Sequence, residues 1–130
     1  MNDIIRCART YIGTPVIHQG RLKGVGIDCV GLIVCVGREL GINITEPPPE
    51  YGRIIRDHRI ATLMNEQFIG PKKTWNPGDI LVLGWRKFEN HLGIATDEGV
   101  IHASRKFVVE HILGEPYTSK IMSVYEWPLF

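Results

Sequence analysis

The sequence predicts an α+β domain in which helices come first and an antiparallel β-sheet follows. Two observations carry that prediction. Before Gly70-Pro71, apolar residues recur at helical spacing between glycine and proline stops. After it, short β-branched and aromatic runs are separated by turn signals. Helices grouped ahead of strands fit segregated layers better than a parallel βαβ arrangement. With 130 residues, 44% of them hydrophobic, the chain can build one core but not two, so residues 1–130 are read as a single domain.

The first helix is predicted over residues 2–12. Asn2 can cap it, Ile4, Ile5, Ala8 and Ile12 recur on one side, and Gly13-Thr14-Pro15 ends it. A glycine-rich loop leads into GVGIDCVGLI, residues 24–33. There Asp28 is a good N-cap residue, and Val30, Leu32, Ile33, Val34 and Val36 begin an apolar run that closes at Leu40-Gly41. Residues 42–52, with Pro47-Pro48-Pro49, read as an extended surface segment. A third helix is predicted over residues 53–68, with Ile54, Ile55, Leu63, Met64 and Phe68 on its buried side. Trp75-Asn76-Pro77-Gly78 is a turn into a strand at 79–83. Strands at 91–96 and 100–103 flank the tight Asp97-Glu98-Gly99 hairpin, and runs at 107–112 and 121–127 complete the sheet.

Composition excludes several function classes. A formal charge of +1 with scattered Lys and Arg provides no basic stripe, so no nucleic-acid partner is expected. No apolar run approaches the roughly 20 residues of a membrane helix, and no membrane insertion is expected. The start Met1-Asn2-Asp3 lacks the basic and apolar regions of a signal peptide, which predicts synthesis in the cytoplasm with reduced thiols. Three cysteines, Cys7, Cys29 and Cys35, do not make a disulfide framework.

Cys29 is the residue with chemistry. A thiol in the first turn of a helix meets the positive end of the macrodipole and unpaired N–H groups, both of which favour the thiolate nucleophile. The alternative is a structural cysteine packed beneath the helix. A cysteine nucleophile needs a base and a group to orient that base. His91 and His102 lie on the two strands of the predicted hairpin and become near neighbours if that turn pairs them, giving a Cys-His-His triad. Cys29, His91 and His102 are also ligand types that suit zinc, but without CxxC or HxxxH spacing, so no metal and no cofactor is expected. His18, His58 and His111 have no surrounding motif and read as ordinary histidines, with His58 on an exposed helix face among Arg56, Asp57 and Arg59.

These residues resemble the NlpC-type cell-wall peptidases, a branch of the papain-like cysteine peptidases. GIDCVGLI is similar to their D-C-S-G-L segment, and Tyr11-Ile12-Gly13-Thr14-Pro15 to the L-G-x-P segment upstream. Trp75-Asn76-Pro77-Gly78-Asp79-Ile80 resembles the P-G-D-L turn, His91-Leu92-Gly93-Ile94-Ala95 the H-V-G-I strand, and Ile101-His102-Ala103 the strand of the third residue. The pieces occur in order and span the chain apart from residues 42–72. The longer pattern from Gly13 to Leu32 resembles the subgroup found in tailed-phage tails and gene-transfer particles.

The resemblance implies a papain-like fold with Cys29 as nucleophile, His91 as base and His102 orienting the imidazole. It implies cleavage of peptidoglycan stem peptides, commonly at the γ-D-glutamyl–diaminopimelate bond. Phage-type tail-tip or hub proteins would be the partners, and the particle tail the final location. Two positions depart from the pattern: Val30 stands for the usual serine, and Val16 for a tyrosine whose hydroxyl lies near the nucleophile. Tyr11, His18 or Gln19 would then have to serve on the substrate side, where Asp28 also lies as the helix cap, aimed away from the sulfur. Two further readings keep the fold: a tail-tip assembly module with little turnover, and an acyltransferase in which an amine or lipid replaces water.

Overall fold

The computed structural model describes residues 2–46, 51–85 and 88–128. Helix α1 (Asp3–Arg9) begins where the Asn2 carboxamide oxygen accepts from the amides of Ile4 at 2.8 Å and Ile5 at 3.3 Å. Asp3 in its first turn and Arg9 in its last complement the helix dipole. The helix is shorter than the spacing predicts, because the next residues are claimed by the sheet. The Gly13 amide donates to the Val108 carbonyl, and the Val108 amide to Thr14.

A small hairpin follows, β1 (Arg21–Leu22) paired with β2 (Gly26–Ile27), which the glycine-rich sequence does not announce. Helix α2 (Cys29–Glu39) starts at Asp28, whose carboxylate accepts from the Gly31 amide at 2.8 Å. The backbone entering this hairpin at Gly20 presses onto this first turn. A Cβ at Gly31 would lie 2.5 Å from the Gly20 carbonyl oxygen, so only glycine permits the approach.

Pro47-Pro48-Pro49 lie outside the described residues, but their neighbours are not the surface segment expected. Ile42, Ile44 and Tyr51 are buried in the main core. Helix α3 (Arg59–Gln67) begins six residues later than predicted. Asp57 accepts from the Arg59 amide and grips its guanidinium, which sets the start. Ile55, Leu63, Met64 and Phe68 are buried as expected, whereas Ile54 is half exposed.

Strands β3 (Ile69–Lys72), β4 (Ile80–Trp85), β5 (Phe88–Ala95), β6 (Val100–Ala103), β7 (Val108–His111) and β8 (Ile121–Glu126) form one antiparallel sheet. Its order is β3-β8-β4-β5-β6-β7. Strand β3 is an addition to the sequence reading. Strand alternation divides the apolar residues between two clusters. Ile80, Val82, Leu92, Ile94 and Ile101 join the helices in the main core. Leu81, Leu83, Ala95, Val100 and Val124 pack on the opposite face, where Trp85, Tyr117 and Ile121 cover them. Among the described residues, no helix is long and apolar enough to cross a membrane.

Candidate active site

The start of α2 and strands β5 and β6 meet at a cavity of about 530 Å³ lined by Cys29, His91 and His102. The β5-β6 ladder pairs Gly93 with His102, so His91, two residues earlier, shares that face and stands diagonal to His102. The two rings touch, with His91 Nε2 2.8 Å from His102 Nδ1. The next ladder repeats the relation. It pairs His102 with Val109, which puts His111 on the same face, and His102 Nε2 lies 2.8 Å from His111 Nε2. Nδ1 of His111 is 2.9 Å from the Ile112 carbonyl. Three imidazoles therefore cross three strands in one hydrogen-bonded line.

His111 is the neighbour of the pair that motif reading missed: it reads as an ordinary histidine in the sequence, yet its ring bonds to His102. The signal was available in strand parity across the second hairpin. Tyr117 stands edge-on to His102 at 5.2 Å and tilts against His111 at 5.1 Å; Trp85 lies edge-on to His91 at 6.2 Å. These aromatic rings pack against the histidine line. Among the described residues, no group of three or more His, Cys, Asp or Glu is disposed to hold a metal ion. The imidazole nitrogens address one another instead of converging.

Cys29 occupies the predicted first turn. The backbone amides of Leu92 and Val30 favour the charged form of its sulfur. Burial, with the Asp28 charge second, outweighs these donors and pushes the thiol up to about 12. Burial likewise holds His91 down to about 4, and burial with its two neighbouring imidazoles holds His102 down to about 3. The resting pair is thus a neutral thiol and a neutral imidazole. This runs against the expected thiolate: desolvation of the sulfur opposes the stabilisation that a helix start provides. Among the described residues no hydrogen bond joins the thiol to His91. Such contacts often tighten only once substrate is bound.

Asp28 caps the helix as expected, and both of its oxygens are engaged. Oδ1 accepts from the Gly31 amide and from Arg21 Nη1 at 2.8 Å; Oδ2 accepts from the Gln19 amide at 2.9 Å and the Tyr51 hydroxyl at 2.5 Å. Arg21 also reaches Glu46 at 2.7 Å and the Tyr51 hydroxyl at 2.9 Å. Neither Arg21 nor Tyr51 stood out in the sequence, since the contacts join distant segments.

The substrate-side residues separate. His18 lines the cavity, edge-on to Tyr51 at 5.3 Å. Gln19 serves the site indirectly, through its amide on Asp28 and its side chain on the Tyr51 carbonyl. Tyr11 is a correction: it is buried, and its hydroxyl donates to Glu39 at 2.7 Å, away from the cavity. Val16 does line the cavity, and the phenols present there are those of Tyr51 and Tyr117.

Solved structures share this architecture. A lipoprotein-like NLP/P60 family protein of Staphylococcus aureus Mu50 superposes with a TM-score of 0.71 at 16% identity. That alignment covers 98% of this chain and 41% of the other, so the chain spans less than half of that protein's length. The P60 domain of a Mycobacterium avium subspecies paratuberculosis antigen gives 0.61 at 17% identity, over 98% and 93% of the two chains. The NlpC/p60 domain of the peptidoglycan hydrolase SagA gives 0.56 at 26% identity, over 84% and 87%. The chain has the NlpC/P60 fold. No protein-family model matches the sequence, and no curated protein matches it either. The NlpC/P60 likeness thus rests on three-dimensional architecture, with the α+β class as expected.

Proposed function

We propose that this NlpC/P60-fold protein is a cysteine peptidase that cleaves peptidoglycan stem peptides at the γ-D-glutamyl–diaminopimelate bond. The observation that carries the reading is the shared cavity of Cys29 with the bonded His91–His102 pair. The peptidoglycan hydrolase among its structural neighbours supports a cell-wall substrate. Arg53 and Arg105 on the cavity wall suit the carboxylates of such peptides.

In the reaction, Cys29 Sγ attacks the scissile carbonyl as its proton passes to His91. The amides at the start of α2 support the oxyanion, and His91 returns the proton to the leaving amine. Water then hydrolyses the thioester, with His91 again taking and returning a proton. His102 holds the ring of His91 through the 2.8 Å bond.

Delivery by a phage-type tail, with tail-tip or hub proteins as partners, is the second part of the proposal. It draws on the resemblance of residues 13–32 to that subgroup. The neutral Cys29–His91 pair favours one competing reading, a tail-tip module of this fold with little turnover.

The test is digestion of purified muropeptides followed by mass spectrometry, with Cys29→Ala as control. Hydrolysis that the folded variant lacks supports the peptidase. No turnover by folded wild type, with both proteins supporting particle assembly equally, supports the module.

A further inference from the structure

We propose that His111 and the Ile112 carbonyl set the direction of the imidazole line, so that His91 presents an unprotonated Nδ1 to the cavity. The inference extends the peptidase reading by giving a positioning role to a third histidine.

The argument runs inward from the carbonyl. An amide oxygen only accepts, so His111 Nδ1, 2.9 Å from Ile112 O, carries the proton. A neutral imidazole has one N–H, which leaves His111 Nε2 as an acceptor. His102 Nε2, 2.8 Å away, must then be the donor, and His102 Nδ1 becomes an acceptor in turn. His91 Nε2, 2.8 Å from it, therefore carries the proton. What remains is the lone pair on His91 Nδ1, and among the described residues nothing hydrogen-bonds to that atom. The reversed line would put a lone pair of His111 against the carbonyl oxygen and protonate the atom that must act as base.

The direction also survives the reaction. When His91 takes the thiol proton at Nδ1, its Nε2–H still donates to His102, and no ring has to turn. Burial of His91 and His102 keeps both neutral at rest, which the one-proton-per-ring logic requires. His111, half-buried on the last strand of the meander, anchors the line through the backbone carbonyl beside it.

The experiment has two arms. Nitrogen-15 long-range correlation spectra of wild-type protein near neutral pH report the tautomer of each ring. The expected pattern is a proton on Nδ1 of His111 and on Nε2 of both His102 and His91. A proton on Nδ1 of His91 at rest overturns the proposal, whether or not the protein hydrolyses muropeptides, so its failure is separable from failure of the peptidase reading. In the second arm, His111→Leu removes the acceptor, and His111→Gln restores one in its amide oxygen. The leucine variant is expected to lose about tenfold or more in kcat at unchanged KM and to show mixed His91 tautomers. The glutamine variant recovers most of that loss. A folded leucine variant with wild-type kcat and wild-type tautomers refutes the role of His111.

Discussion

The charge cluster beneath Cys29 offers a sharp test of how the site is held. Arg21→Met keeps the length of the side chain and removes a guanidinium that contacts Asp28 and the Gly20 carbonyl at 2.8 Å, Glu46 at 2.7 Å and the Tyr51 hydroxyl at 2.9 Å. The Asp28 side chain is only 12% exposed and that of Arg21 23%, so the variant strands a mostly buried carboxylate. Breaking a buried pair costs about 3–5 kcal/mol, and partial exposure of Arg21 reduces this to about 2–4 kcal/mol. For a chain of this size each kcal/mol lowers Tm by about 3 °C, which gives a drop of about 6–12 °C. Calorimetry at neutral pH measures it. Asp28→Asn retains an N-cap oxygen while removing the charge. Added to Arg21→Met, it should therefore recover part of the loss, a non-additivity that a double-mutant cycle reads directly. A Tm for Arg21→Met within about 2 °C of wild type, or strictly additive losses, would refute the reasoning.

Acid stability follows from the buried rings. Both histidines have folded-state values below the ordinary 6.5, at about 4 for His91 and about 3 for His102. The unfolded chain therefore binds their protons first, and stability falls as pH drops below 6.5, by about 4 kcal/mol for the pair between pH 7 and 5. Urea unfolding at the two pH values checks this, and stability unchanged or higher at pH 5 contradicts it. Alkylation by iodoacetamide should not single out Cys29 at neutral pH, since burial pushes its thiol up to about 12 and that of Cys7 up to about 11. The Cys29 rate should climb about tenfold per pH unit between pH 7 and 10, whereas a plateau beginning near neutrality would reveal a preformed ion pair. Gly31→Ala places a methyl against the Gly20 carbonyl and should cost about 1–3 kcal/mol by displacing the start of α2. A thermal melt equal to wild type would show that the backbone at Gly20 yields freely.

Much of this molecule is legible in one dimension wherever the cause is local. The Asn2 and Asp28 caps, the apolar stripe of α2 and the turn residues at Asp97-Glu98-Gly99 each act within a few positions, and each element starts where its cap places it. Cys29 and the His91–His102 pair were readable for the same reason, because a helix start and a short hairpin bring them into view. Strand β3, the late start of α3 and the burial of Ile42 and Ile44 were not, because each depends on partners distant along the chain.

The order of helices and strands, the capped cysteine and the histidine hairpin were determined by the chain itself, through short-range propensity and hydrogen bonding. Tertiary structure decided the protonation of the site and its supporting cast. Desolvation depends on everything packed around the thiol, and it opposes the thiolate that the helix start favours. Arg21, Tyr51 and His111 acquired their parts only when folding brought separate segments within about 3 Å of Asp28 and His102.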